Sequence, residues 1–198
     1  SAMTFYYPST SENTLAKLGS NYGGYLVLPS STTLSTYKYS QNADITINAN
    51  LSVSGSISIT GKNIYTAANL TASGASSTIT LTVIAGGIFY TQTVAPTLTA
   101  PGGITINSDS YAWLSGNPKF DTSGVVTIQP TGTSFSAVTS SWFTLNVNNT
   151  MTGFNLGKEG NTANITLDSN ITVAGPIKII GGNIYDNNAS LTSTSAGQ

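Results

Sequence analysis

The sequence of 198 residues contains neither histidine nor cysteine, and its six basic residues are all lysines. Without histidine there is no imidazole base and no ordinary zinc or haem site. Without cysteine there is no disulfide framework, thiol nucleophile or iron–sulfur cluster. Charged residues make up only 7% of the chain and the net charge is −1, so no basic patch can neutralise phosphates. We therefore expect no cofactor, no metal and no nucleic-acid partner.

Long apolar runs and helix signals are also scarce. No segment approaches the ~18 consecutive apolar residues of a transmembrane helix, so no membrane insertion is expected. Only the stretch from Glu12 to Leu18 has the composition of a helix, and it would cover about two turns. The chain is therefore expected to be an all-β protein.

Serine, threonine and asparagine take the place of the charges and together make up more than a third of the chain. Disordered chains can be equally polar, but they lack aromatic and β-branched residues. Here 39% of the residues are hydrophobic and 9% are aromatic, which is enough to build a packed core. The composition favours a folded domain with a neutral, hydroxyl-rich surface.

From residue 43 onward, apolar residues recur in short alternating pieces spaced roughly six residues apart. An ordinary sandwich has turn signals about every 8–12 residues, so these pieces suit a solenoid better. Three strands would form one coil of about 18–20 residues, and about nine coils would stack. Gly61 and Asn63 are expected at turns because they tolerate left-handed dihedral angles. The predicted fold is a single-stranded β-helix solenoid, with tandem β-sandwich units as the alternative.

An internal repeat supports this prediction. Residues 43–68 align without a gap to residues 163–188, and 12 of the 26 positions are identical. Core isoleucines and turn glycines coincide, as in Ile57 and Ile177. Internal duplication is the interpretation that we favour, as expected for an extended repeat protein.

Two regions depart from the regular pattern and complete the predicted organisation. Residues 1–42 would form an irregular, tyrosine-rich N-terminal cap behind the cloning remnant Ser1-Ala2-Met3, and residues 43–198 the solenoid. Residues 110–123 are predicted to be a loop extruded from one coil. Exposed aromatic and amide side chains suit carbohydrate contact, although aromatic packing under a loop is the more frequent explanation. The candidate binding residues are Tyr111, Trp113, Asn117 and Phe120.

Catalytic motifs give little support for an enzyme. Among the seven acids, Asp109 and Asp121 are the residues that a β-helix polysaccharide hydrolase or lyase, or a phage tail-spike fragment, would be expected to use. No acid has a partner close in sequence, and the turn Gly157-Lys158-Glu159 lacks the spacing of a phosphate loop. Threonine pairs such as Thr80/Thr82 and Thr97/Thr99 keep ice binding as a minor alternative. We expect no catalytic residues.

A resemblance to a known class of protein adds to this interpretation. The segments 57–73 and 165–193, with Gly124–Pro130 and Phe154–Lys158, resemble repeats of filamentous-haemagglutinin-like adhesins and related giant β-strand-repeat surface proteins of bacteria. The resemblance covers about 60% of the chain. The Asn-Pro-Asn-Gly motif of the secretion domain is missing, so the match is to an internal region.

The resemblance implies a right-handed β-helix, an extracellular or cell-surface location and a role in adhesion. The expected function is a non-catalytic adhesive module or rigid stalk of a large secreted bacterial protein. Its expected partners are glycans or proteins on host or neighbouring cells, together with flanking repeats of the same chain.

Overall fold

The computed structural model describes residues 13–14, 25–26, 37–40, 42–47, 49–91, 95–113, 117–136, 138–139 and 150–195. Within these ranges the chain forms short β-strands and no helix. The strands of the first half are β1 (Asn13–Thr14), β2 (Tyr25–Leu26), β3 (Tyr37–Ser40), β4 (Ile45–Ile47), β5 (Leu51–Val53), β6 (Ile57–Gly61), β7 (Ile64–Thr66), β8 (Leu70–Ala72), β9 (Thr78–Val83), β10 (Ile88–Thr91) and β11 (Thr97–Thr99). Those of the second half are β12 (Gly103–Asn107), β13 (Ser110–Trp113), β14 (Lys119–Asp121), β15 (Val125–Gln129), β16 (Val138–Thr139), β17 (Gly153–Leu156), β18 (Ile165–Leu167), β19 (Ile171–Val173), β20 (Ile177–Ile179), β21 (Ile184–Asp186) and β22 (Leu191–Ser193).

Parallel pairing between successive coils builds a β-solenoid of about six turns. The long sheet has eight strands in the order β1-β3-β6-β9-β12-β15-β17-β20. The lateral sheet (β13-β10-β7-β4-β2) and the back sheet (β14-β11-β8-β5) form the other two sides, and smaller sheets of three and two strands follow them in the last coils. The predicted all-β solenoid is confirmed, and the sandwich alternative is wrong because a sandwich is built from antiparallel strands. The right-handed sense in which the chain winds around the solenoid axis remains a prediction.

The coils are longer and less regular in length than the sequence pattern predicts. The register of the long sheet pairs Tyr37 with Ile57, which are separated by one short coil. It also pairs Val126 with Phe154, which lie much further apart in the sequence. The described residues therefore form about six turns and not the nine coils that the sequence pattern predicts. Packing of the core fixes the length of the strands but not the length of the corners. The extra residues therefore lie in the corners, where the chain turns from one sheet to the next.

The core is a continuous column of inward-facing aliphatic and aromatic side chains. In β4 to β11 alternate residues are buried, so Ile57 and Ile59 of β6 have almost no exposed surface. The same register carries the column through the lateral sheet, where Ile45, Ile64 and Phe89 stack on successive coils. Each such side chain contributes roughly 1.5–3 kcal/mol through burial.

The coil corners depend on close approach and side-chain hydrogen bonds more than on left-handed dihedral angles. Gly61 and Asn63 do not have positive φ, so the predicted reason for their presence is wrong. A Cβ atom on Gly61 would lie 2.6 Å from Ile45 Cδ1, which explains the glycine. Asn63 donates from Nδ2 to Asp44 Oδ1 (2.7 Å) and accepts from the Ile88 N–H (2.8 Å), so its amide joins three coils.

The two halves of the internal repeat occupy equivalent parts of the solenoid. Residues 43–68 run through β4 to β7, and residues 163–188 run through β18 to β21, five steps further along the stack. Their surroundings differ: Ile64 is fully buried, whereas its counterpart Ile184 is 49% exposed. The second half lies in the last described coils, where no following coil covers it.

The expected N-terminal cap is only partly visible in the described ranges. β1 and β3 belong to the long sheet and β2 belongs to the lateral sheet, so parallel pairing extends upstream of residue 43. The remainder of residues 1–42, apart from Asn42, lies outside the described residues.

Candidate functional site

Two of the four predicted binding residues are core residues. Tyr111 is 7% exposed and its ring meets Phe89 and Phe135 edge-on, with centroid distances of 6.1 and 6.0 Å. Phe120 is 1% exposed. Both occupy inward positions of their strands, β13 and β14, and their side chains have almost no surface to offer a glycan.

The other two predicted residues lie beside a short gap in the description. The backbone of Trp113 pairs with Thr91 at the end of β13, and its side chain lies outside the described residues. Asn117 is half-buried at the start of the next described segment. Half of the expected loop at 110–123 is strand, in β13 and β14, and residues 114–116 lie outside the description.

Acidic side chains join successive coils. Asp109 accepts hydrogen bonds from the Gly86 N–H (3.2 Å) and the Gly132 N–H (2.7 Å), which belong to the preceding and following coils. Asp121 accepts a long hydrogen bond from Thr99 Oγ1 (3.4 Å) on the back sheet. In the described ranges no three acidic side chains come close enough together to hold a metal ion.

The long sheet presents a regular array of polar side chains that sequence analysis missed. We call it the polar grid: Ser58, Thr80, Thr105 and Thr127 form one column, and Thr60, Thr82, Asn107 and Gln129 form the next. All eight are half-buried outward residues on β6, β9, β12 and β15. Strand geometry spaces them about 4.8 Å along a column and about 6.7 Å between columns.

Hydrogen bonds hold part of this grid in place. Asn107 Nδ2 donates to Thr82 Oγ1 (3.0 Å), and Gln129 Nε2 donates to Asn107 Oδ1 (2.9 Å). Since unequal corners separate the coils, the aligned residues are 22 or 25 positions apart in sequence. A search for a constant spacing in the sequence therefore could not find them.

The lateral sheet carries a pair of outward-facing tyrosines. Tyr65 and Tyr90 are paired on adjacent strands, and their rings are stacked with a centroid distance of 5.2 Å and an angle of 22°. Thr46 precedes the pair and Ala112 follows it in the same outward column. Burial raises the pKa of Tyr65 above its ordinary value, and the nearby Asp44 and Tyr90 raise it further.

The last described coil leaves apolar side chains uncovered. Ile184 and Leu191 are 49% and 45% exposed, and they line an open hollow of about 420 Å³ together with Leu167 of β18 and Ile177 and Ile179 of β20. The hydroxyl of Ser193 beside it is buried without a hydrogen-bond partner. This end face has the composition of core, not of surface.

Comparisons of the chain with protein-family models, curated proteins and solved structures give no match. The described part of the chain contains no helix long and apolar enough to cross a membrane.

Proposed function

We propose that this chain is a rigid, non-catalytic segment of a large bacterial surface or secreted adhesin, and that it contacts neutral glycans on host or neighbouring cells. The polar grid is the observation that carries this proposal. It offers hydroxyl and amide groups at fixed spacing on a sheet with eight parallel strands. Many weak hydrogen bonds from such a surface can act together on an extended glycan.

The low charge of the surface supports a neutral partner. The chain carries only six basic and seven acidic residues, and Asp109 and Asp121 are engaged in bonds between coils. A polar surface with few charges gives little long-range attraction to anionic polymers. Hydroxyl-rich, uncharged sugars match it better.

Flanking repeats are the second proposed partner. The counterparts of Ile184 and Leu191 in the first repeat are Ile64 and Leu70, and both are fully buried beneath the following coil. A further coil of this type would bury Ile184 and Leu191 of the last described coil in the same way. This arrangement suits a stalk built from stacked repeats.

The proposed glycan contact is tested by screening the purified chain on a glycan array and on intact cells. Thr105→Lys places a long charged side chain in the middle of the grid and is expected to reduce binding severalfold. Thr71→Lys is the matched control, since Thr71 is also a half-buried outward threonine but lies on the back sheet. Equal binding by both variants would contradict a role for the grid. Absence of binding by the folded, unsubstituted chain would exclude glycan adhesion and leave only the stalk.

The polar grid also favours a second candidate, ice binding, because a flat hydroxyl array can order water at repeating positions. Thermal hysteresis of the unsubstituted chain, lost in Thr105→Lys and retained in Thr71→Lys, would support this candidate over glycan adhesion. An unchanged freezing point would remove it.

A further inference from the structure

The Tyr65–Tyr90 stack is asymmetric. One face of the Tyr90 ring is covered by Tyr65, at a centroid distance of 5.2 Å. On the other side the lateral sheet places Ala112 directly beside Tyr90. An alanine offers a single methyl group, too small to cover an aromatic ring, so the face of Tyr90 that points away from Tyr65 is not covered by its neighbour on the next strand.

Hydroxyl groups lie beside this position. Ser110 is two residues before Ala112 on β13, so it shares the outward face and lies about 6.7 Å away along the strand. Its Oγ is 2.8 Å from the Oγ of Ser136 on the next coil, and this pair is exposed. A flat apolar surface next to two hydroxyls matches a sugar ring, which has an apolar C–H face and polar edges.

We propose that Tyr90, Ala112 and the Ser110–Ser136 hydroxyl pair form a binding site for one ring of a neutral glycan, with the ring stacked on the open face of Tyr90. We call it the Tyr90 site. It rests on the proposed function and adds an aromatic anchor to the weaker contacts of the polar grid. An aromatic side chain with a polar hydroxyl is well suited to a contact that is apolar at the ring face and exposed to water at the edge.

Charge limits the ligand to neutral sugars. Asp44 lies on the side of Tyr65, where Asn63 donates to it, and Asp109 immediately precedes Ser110 in the chain. Asp109 therefore places a carboxylate beside the hydroxyl pair, which disfavours uronic and sialic acids there. A neutral hexose meets no such repulsion.

The test uses the whole chain and a panel of neutral oligosaccharides (cello-, laminari-, malto- and xylohexaose), with oligogalacturonate as the acidic probe, in calorimetric titrations. Tyr90→Ala is expected to weaken binding of a neutral oligosaccharide about tenfold, since the stacking surface is lost. Tyr90→Phe keeps the ring and is expected to stay within about threefold of the parent affinity. Ala112→Tyr extends the stack into the site and is expected to abolish binding.

Tyr185→Ala is the matched control, since Tyr185 is 51% exposed, is the repeat counterpart of Tyr65, and lies in the last described coil. Its affinity for the oligosaccharide should equal that of the parent chain. Binding that survives Tyr90→Ala unchanged would overturn the Tyr90 site but leave the proposed function in place. Failure of the folded parent chain to bind any neutral probe would overturn both, and tighter binding of oligogalacturonate would overturn the preference for neutral sugars.

Discussion

At the scale of single residues, burial decides what a polar side chain does in this molecule. Tyr111 is of a residue type that suits carbohydrate contact, but it lies in the core. There its hydroxyl donates a long hydrogen bond to the Ile106 carbonyl (3.4 Å). Burial raises its pKa well above the ordinary value of 10.0, and the charge of Asp109 raises it further. The phenol is therefore part of the core.

This shift predicts how stability depends on pH. Above about pH 10 the unfolded chain releases the Tyr111 proton while the folded chain still holds it, so the free energy of unfolding falls as pH rises. Tyr111→Phe should lower stability at neutral pH by only about 0.5–1.5 kcal/mol, the value of one hydrogen bond. It should also flatten the decline above pH 10, measured by urea unfolding at several pH values.

Phe120→Leu is the control for this experiment, because Phe120 is also a buried aromatic residue and has no ionisable group. Its effect on stability should be the same at every pH. A decline above pH 10 that is as steep in Tyr111→Phe as in the parent chain would contradict the assignment to Tyr111.

Asp109 gives a second prediction at this scale. Its carboxylate accepts N–H groups from Gly86 and Gly132 and thereby joins three successive coils. Asp109→Ala should cost about 1.5–3 kcal/mol, because the acceptor is charged and a partly buried N–H loses its partner. Asp168→Ala, at an exposed position, should change stability by less than about 0.5 kcal/mol. Thermal unfolding of the two variants checks the difference, and equal melting temperatures would show that Asp109 has no such role.

At the scale of strands and coils, alternation of apolar residues predicted the strands that follow residue 43, but not β13 and β14, which were expected to be loop. The pieces at Ile45–Ile47, Leu51–Val53 and Ile57–Ile59 all form strands with their apolar side chains inward. Side chains alternate between the two faces of a strand, so the apolar ones can bring only one face to the core. The register of each strand therefore follows from its sequence.

Coil length and the candidate sites could not be predicted in this way, because they depend on corners and on neighbours in space. The polar grid arises from strands that are adjacent only after corners of unequal length have been closed. Asn63 shows the same limit: its sequence position indicates a turn, but only its neighbours Asp44 and Ile88 show that its amide joins coils. For Tyr111 and Phe120, the composition was consistent with both surface and core, and the strand register decided for core.

The internal repeat provides a matched pair of substitutions at this scale. Ile64 and Ile184 occupy equivalent positions of β7 and β21, but Ile64 is fully buried and Ile184 is 49% exposed. Ile64→Ala should cost about 2–5 kcal/mol, and Ile184→Ala less than about 1 kcal/mol. Urea unfolding of both variants measures the difference. Similar costs would show that the two repeat halves do not differ in burial as the structure describes.

At the scale of the whole molecule, a solenoid is stabilised by contacts between nearest neighbours, so each covered coil adds to the total. The end face formed by Ile184, Leu191 and their neighbours leaves a hollow of about 420 Å³ that contributes no such contact. A hydrophobic dye is expected to bind there, because apolar patches of this kind remain accessible to water.

An appended coil tests this directly. After the first repeat, residues 74–99 form the coil that covers Ile64 and Leu70, and they supply β9, β10 and β11. A second copy of residues 74–99 placed after Thr194 should continue the register, since Ser73 and Thr194 make the same backbone bond to Val53 and Val173. The extended chain should melt at a higher temperature, bind less dye, and protect the amides of β21 and β22 from hydrogen exchange.

The same extension with Ile79 and Leu81 of the added copy replaced by Asp is the control. It should give none of these effects, because charged side chains cannot enter the column of core side chains. If both extensions leave the melting temperature and the dye binding unchanged, the end face does not accept a further coil, and the proposal of stacked flanking repeats fails.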